Sequence, residues 1–290
     1  MSVIAETVRP HHTLWGDAFT RLKRNRVALA GGIIILLVAL GAIIVPFVSP
    51  YKFDQQDLNV VLHSPSHGHL MGTDGLGRDV FTRLFYGART SLMVGVFAQV
   101  ICLLIGLPIG AFSAYASQRV DNLIMRFVDV VFAFPDLLLI ILIRAILGGS
   151  IYMIFLAIGL VSWVNIARLV RGQILSLKQR DFATAARAMG GSSTYITLRH
   201  LLPNSLGPVI VYVTFGIPRA IFAEAALSYI GIGIKPPTPS WGTMIANGYE
   251  NIFAAPYLVL IPAVAVGVLM LAFTFLGDGL RDALDPRLRR

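Results

Sequence analysis

His63, His67 and His69 lie close together in the stretch HSPSHGH, and imidazoles at this spacing in a flexible segment could share a zinc or nickel ion. A plain structural role for them is preferred, and no metal site is assigned. Gly72, Gly75 and Gly77 follow in GTDGLGRD and could be mistaken for a nucleotide cradle. No strand precedes them, and turn formation explains them better. Asp74, Arg78 and Asp79 in the same run have the charges to pin that loop by ion pairs or hydrogen bonds. The sequence contains no G-x4-G-K-[ST] phosphate loop. It also offers no convergent nucleophile and base, so the chain is not read as an enzyme.

A second group of ionisable residues stands in apolar surroundings: Asp136, Arg144, Arg219 and Glu224. Charge at membrane depth faces protein or water, which makes Arg219, Glu224 and Asp136 candidates for a translocation path; helix packing is the competing role. Arg219 and Glu224 are five places apart, about 140° around a helix, so they do not pair on one straight helix. Arg144 is expected to snorkel outward. Cys102, the only cysteine, lies inside an apolar run and reads as a small lipid- or core-facing residue.

The elements that must position these residues are membrane spans. Of 290 residues 56% are hydrophobic and only 13% charged, too few charges to solvate a globular domain. About 20 apolar residues cross a bilayer, and windows at 27–47, 91–116, 127–147, 150–170, 207–229 and 257–277 qualify. The expected fold is therefore all-α, a polytopic membrane protein of about six transmembrane helices. Its parts would be a cytoplasmic N-terminal segment 1–26, the first span 27–47, an extracytoplasmic loop 48–90, a core 91–280 and a cytoplasmic tail 281–290. The first span is not read as a cleaved signal, because its apolar core is long and no small-x-small site follows.

The net charge of +9 is distributed unevenly. With a cytoplasmic N-terminus, Arg9, Arg21, Lys23, Arg24, Arg26, Arg119, Arg126, the basic residues of 168–199, Arg281, Arg287, Arg289 and Arg290 fall inside. Lys52, Arg78, Arg83, Arg89 and Lys235 fall outside. That is the bias of a membrane protein with both termini in the cytoplasm, not of a nucleic-acid binder. WGDAFTRLKRNR, with Trp15, Phe19 and Leu22 at helical spacing, predicts a surface helix. In the third span Arg126 and Asp129 are spaced to pair, and Pro135 should kink or restart the helix.

Residues 181–210, DFATAARAMGGSSTYITLRHLLPNSLGPVI, are too polar to span a membrane yet sit between spans. Asp181 can cap a helix with Phe182, Ala185, Ala186 and Met189 on one apolar face, Thr184 and Arg187 lying off it. Gly190 suits the left-handed residue that ends a helix. Ser192 or Ser193 can cap a second piece carrying Tyr195, Leu198, Leu201 and Leu202, and Pro203 should prevent smooth continuation into the fifth span. The outcome is an elbow with an exposed apolar face, used either to lie in the headgroup region or to dock a partner.

The spacing Thr184-Ala185-Ala186, Gly190, His200 and Leu202-Pro203 resembles the EAA loop of ABC importer permeases, E-A-A-x3-G-x9-I-x-L-P, with Thr184 and His200 as the departures. Glu224-Ala225-Ala226 matches three letters but lacks the rest. HLMGTDGLGRDVFTRLFYGARTSL (69–92), KPPTPSWGTM (235–244) and GDGLRDALDPRLR (277–289) are similar to segments of the C-type subunit of dipeptide, oligopeptide and nickel permeases. The resemblance implies a type I importer permease fold in the bacterial cytoplasmic membrane. It also implies a homologous second permease, two ABC ATPases and an extracytoplasmic solute-binding protein as partners. This chain would bind no cofactor; ATP and Mg would be used by the ATPases. The ATPase-coupling residues would lie within about 178–206: Phe182, Thr184, Ala185, Ala186, Arg187, Met189, Gly190, Tyr195, Leu202 and Pro203. An outer loop would occupy about 230–256, and His69 and Glu224 fit the family pattern. A secondary transporter or channel is the alternative, which would show a carboxylate relay or inverted repeats.

Overall fold

The computed structural model describes residues 14–148 and 150–284. Arg9, the side chain of Trp15, Gly149, Arg287, Arg289 and Arg290 lie outside the described side chains. A surface helix, α1 (Leu14–Arg24), leads into α2 (Arg26–Val48), whose start is capped by the Asn25 side chain accepting from the Ala28 N–H at 3.1 Å. The remaining helices are α3 (Val80–Tyr115), α4 (Gln118–Ala133), α5 (Asp136–Leu147), α6 (Ile151–Leu177), α7 (Asp181–Ala188), α8 (Ser193–Ile196), α9 (Leu202–Tyr229), α10 (Trp241–Tyr249) and α11 (Tyr257–Leu284). Among the described residues, five continuous helical segments are long and apolar enough to cross a membrane, six if the bent pair α4–α5 counts as one span.

Two boundaries differ from the expected ones, and a third takes one of its expected forms. The second span starts at Val80, not 91, because its charged first turns are held by protein: Arg83 donates to the Phe53 carbonyl at 2.6 Å. The third span restarts at Pro135, one of the two outcomes expected there. Phe134, extended at φ −80° and ψ 140° before Pro135, separates two helices that meet at 92°. Arg126 and Asp129 do not pair; Asp129 accepts from Arg168 of α6 instead. Finally, Pro203 does not interrupt the fifth span. Residues 197–201 form a π turn in which the Leu202 N–H reaches back five residues to the Thr197 carbonyl. That shift lets the helix run from Ser193 to Tyr229 through a residue with no N–H to offer.

The core is built around α3 and α6. Gly106 and Gly110 of α3, in the run GLPIG, face the Trp163 and Ala167 carbonyl oxygens of α6; a Cβ at Gly106 would lie 2.6 Å from the former. Small residues four apart let two membrane helices approach backbone to backbone. Around this contact pack Cys102, Val164, Ile166, Ala167, Val170 and Ile174, all buried. On the face away from the elbow, Trp241 of α10 is buried and donates its indole N–H to the Leu84 carbonyl at 2.9 Å. Tyr257 of α11 donates to the His63 and Thr73 carbonyls, so the 49–79 loop is tied to both α3 and α11.

Candidate functional site: the elbow and the opposite loops

The elbow begins at α7. Asp181 is its first residue rather than its cap, and makes no side-chain capping bond. The helix ends in a Schellman motif: Gly190 at φ +84° donates to the Arg187 carbonyl and Gly191 to the Ala186 carbonyl, both at 3.0 Å. Ser192 then caps α8, accepting from the Tyr195 N–H at 3.2 Å.

The expected apolar stripe of α7 is split by the fold. Ala186 turns inward beside Ala183, and both join the core cluster with Ile174, Ile196 and Leu201. Phe182, Ala185 and Met189 face outward, with Phe182 41% and Met189 82% exposed. The second piece divides likewise: Ile196 and Leu201 are buried, Leu202 is half-buried, and Tyr195 and Leu198 are exposed. Pro203 is exposed at the start of α9. The inward residues Ala183 and Ile196 were not singled out from the sequence, because a stripe of apolar residues does not say which side of it meets the core.

Polar contacts lock the elbow to the spans. Arg187, although exposed, donates to the Lys178 carbonyl at 2.6 Å and to the Thr184 hydroxyl at 3.3 Å, which folds its guanidinium back onto the chain. Lys178 donates to the Ala114 carbonyl at the end of α3 at 2.9 Å and lies over the Tyr115 ring. Burial and the neighbouring Arg187 charge hold the Lys178 ammonium below the usual lysine range, with Asp121 acting in the opposite direction. Two turns back along α6, Arg171 grips Asp121 of α4 with two hydrogen bonds of 2.5 and 2.6 Å, and Ser113 of α3 donates to the same carboxylate. The elbow is thus tied through Arg187 and Lys178 to the ends of α6 and α3, which are themselves joined to α4 by Asp121.

On the opposite side, Asp74 holds Arg78 at 2.7 Å and accepts from the Leu76 and Arg78 N–H groups. Asp79 caps α3 through the Thr82 N–H at 2.8 Å and hydroxyl at 2.7 Å, and its other oxygen meets His69 at 3.0 Å. His69 also stacks on Tyr51, whereas the His63 ring turns to the Ser64 carbonyl. Among the described residues no group of three His, Cys, Asp or Glu side chains is placed to hold a metal ion. Gly72 and Gly77 both have positive φ, and a Cβ on Gly77 would collide with the Asp57 carbonyl.

Of the three path candidates, the fold separates Glu224 from the others. Glu224 is completely buried in α9 and accepts from Ser228 at 2.6 Å and Ser240 at 2.7 Å. Ser240 in turn caps α10, so the carboxylate joins α9 to α10. Arg219 and Asp136 are exposed, and the Arg219 guanidinium lies 6.0 Å from the centre of the Tyr212 ring. Arg144 is not snorkelling: it is 3% exposed and donates to the Gly233 carbonyl at 3.2 Å.

The model for the binding-protein-dependent transport system inner membrane component matches residues 106–290, and that for the N-terminal TM domain of oligopeptide transport permease C matches 13–65. The chain belongs to this permease family. It is 41% identical over 278 residues to the oligopeptide transport system permease protein OppC of Bacillus subtilis strain 168, covering 96% of this chain and 91% of that one. To the dipeptide transport system permease protein DppC of the same organism it is 43% identical, covering 97% and 88%. To the glutathione transport system permease protein GsiD of Escherichia coli O6:K15:H31 it is 41% identical, covering 96% and 92%. The inward-facing MetNI methionine ABC transporter shares the fold at 19% identity with a TM-score of 0.58, over 70% of this permease and 96% of that chain. The permease is a membrane component of an ABC transporter and not an enzyme.

Proposed function

We propose that this permease forms half of the translocation path of an ATP-driven, binding-protein-dependent importer of peptides or related small solutes. Its elbow at 181–202 receives force from a separate ATPase. One observation carries the reading: an apolar face of Phe182, Ala185 and Met189 points away from the protein, while Ala183 and Ala186 on the same short helix are sealed into the core. A surface that is greasy outside and rigidly anchored inside transmits a push. The lever is Arg187 to Lys178 to Ala114, so movement of α7 is passed to α6 and α3.

The proposed partners are a homologous second permease, two ABC ATPases that consume ATP and Mg, and a solute-binding protein on the far side. The names of the relatives support peptides as cargo. The proposed setting is a bacterial cytoplasmic membrane with both termini inside, which places the basic residues of α6 and the elbow in the cytoplasm.

Cysteines at positions 189 and 195 should crosslink to the ATPase in the purified complex, with yields that change between nucleotide-free and ATP-bound states. Absence of any crosslink would overturn the reading, as would solute uptake by this chain alone in liposomes.

A further inference from the structure

On the side opposite the elbow, three connections meet around a cavity of about 370 Å3: the start of α3, the α5–α6 turn and the α9–α10 loop. Its wall contains four cationic side chains, Arg78, Arg83, Arg144 and Lys235, and no carboxylate. Asp74, behind the wall, is 2.7 Å from Arg78 and 3.5 Å from Arg83, and Asp54 lies further off. Asp74 makes its ion pairs with Arg78 and Arg83, and Arg144 has none among the described residues. The Arg144 side chain is 3% exposed, yet only one of its nitrogens has a partner, the Gly233 carbonyl; Nε and Nη1 have none among the described residues.

A guanidinium does not shed its proton in a protein, and burying one without a counter-charge is costly. The two free nitrogens leave hydrogen-bonding capacity of the kind that grips a carboxylate. We infer that this cavity is an anion site that takes the carboxylate of a small solute, with Arg144 as its floor and Lys235 at its exposed rim. A carboxylate there would satisfy both orphan donors and offset the excess positive charge in one step. Arg144 is buried whereas Lys235 is exposed, so the ligand must be small enough to pass the rim and reach both orphan donors. The cavity lies at the lower end of ligand-pocket sizes, about 300–1,000 Å3, so it accommodates the acidic end of a short peptide rather than a long chain. The identity of the solute as peptide-like rests on the proposed function.

The test is isothermal titration of the permease complex in phosphatidylcholine nanodiscs, without binding protein, against trialanine and trialanine amide. The free acid should bind at least about ten-fold more tightly than the amide, as expected for a charge-assisted contact, and acetate should compete with it. Arg144→Gln should abolish the difference and Arg144→Lys should retain part of it. Lys235→Gln, at an exposed position, should reduce the difference and provides the reading if Arg144→Gln does not assemble. Equal binding of acid and amide by the wild type, or a preference that survives Arg144→Gln, overturns the inference. Repeating the titration in discs containing phosphatidylglycerol separates the sources of the anion. An unchanged preference supports a solute site, whereas loss of trialanine binding assigns the cavity to lipid headgroups and overturns it. A complex that crosslinks at 189 and 195 but shows no acid preference loses only the anion site; the converse loses only the elbow reading.

Discussion

Glu224 illustrates how one side chain changes meaning once its neighbours are known. A carboxylate in an apolar stretch suggests a pathway residue, but here it is sealed between α9 and α10 and accepts from two serine hydroxyls at the same oxygen. A glutamine would keep that acceptor. Glu224→Gln should therefore leave assembly and melting temperature close to wild type. Glu224→Ala strands two buried hydroxyls and should cost about 1–3 kcal/mol per lost contact, seen as a lower melting temperature of the detergent-solubilised protein. Arg144 teaches the reverse lesson: an arginine near a helix end is normally assumed to reach water, and only its tertiary surroundings reveal it as buried and under-partnered. Neither fate is written in local sequence: Ser240 reaches Glu224 from the connection after α9, and Gly233 reaches Arg144 from that same connection, 89 residues further along the chain.

At the scale of elements, two devices decide the architecture. One is the close approach of α3 to α6 at Gly106 and Gly110. Gly106→Val would drive its side chain into the Trp163 carbonyl, and overpacking of this kind costs about 1–3 kcal/mol. The expected outcome is reduced yield of folded protein, read by size-exclusion chromatography, while Gly267→Ala in α11, where a Cβ meets open space, should be neutral. The other device is the elbow. Phe182→Ala and Met189→Ala remove exposed groups, so the melting temperature should not move. Each should weaken ATPase association, since an apolar side chain buried at an interface contributes about 1.5–3 kcal/mol. Copurification of the ATPase and its solute-stimulated turnover measure this. The run GLPIG and the Thr184-Ala185-Ala186 to Pro203 spacing are both visible in the sequence, and the small residues four apart in the first are a signal of close helix contact. The π turn before Pro203 had no signal, because a proline on its own predicts a break and only the following helix's packing pulls the backbone through it.

The whole molecule places two polar features at opposite ends of a bundle with a broad apolar exterior. Phe47, Leu104, Leu142 and Leu271 are among many large side chains left exposed, as a lipid-facing surface requires. The elbow stands at one end and the tied loops at the other. Cys102 is fully buried, so a membrane-impermeant maleimide should not label the native protein. Met189→Cys should label only in inside-out vesicles stripped of the ATPase, and Leu58→Cys, in the exposed 49–79 loop, only in intact cells. Labelling of both from the same side would contradict the proposed orientation.

Hydropathy, the asymmetry of basic residues and a handful of spaced motifs sufficed to define a helical membrane permease and to locate its elbow, because solvent chemistry and short-range backbone preferences act along the chain. What required the folded protein was the assignment of faces and partners. Whether Ala186 or Met189 points inward, whether Asp129 meets Arg126 or Arg168, and whether Arg144 finds an acid all depend on residues far away in sequence. Packing, not periodicity, brings those residues into contact.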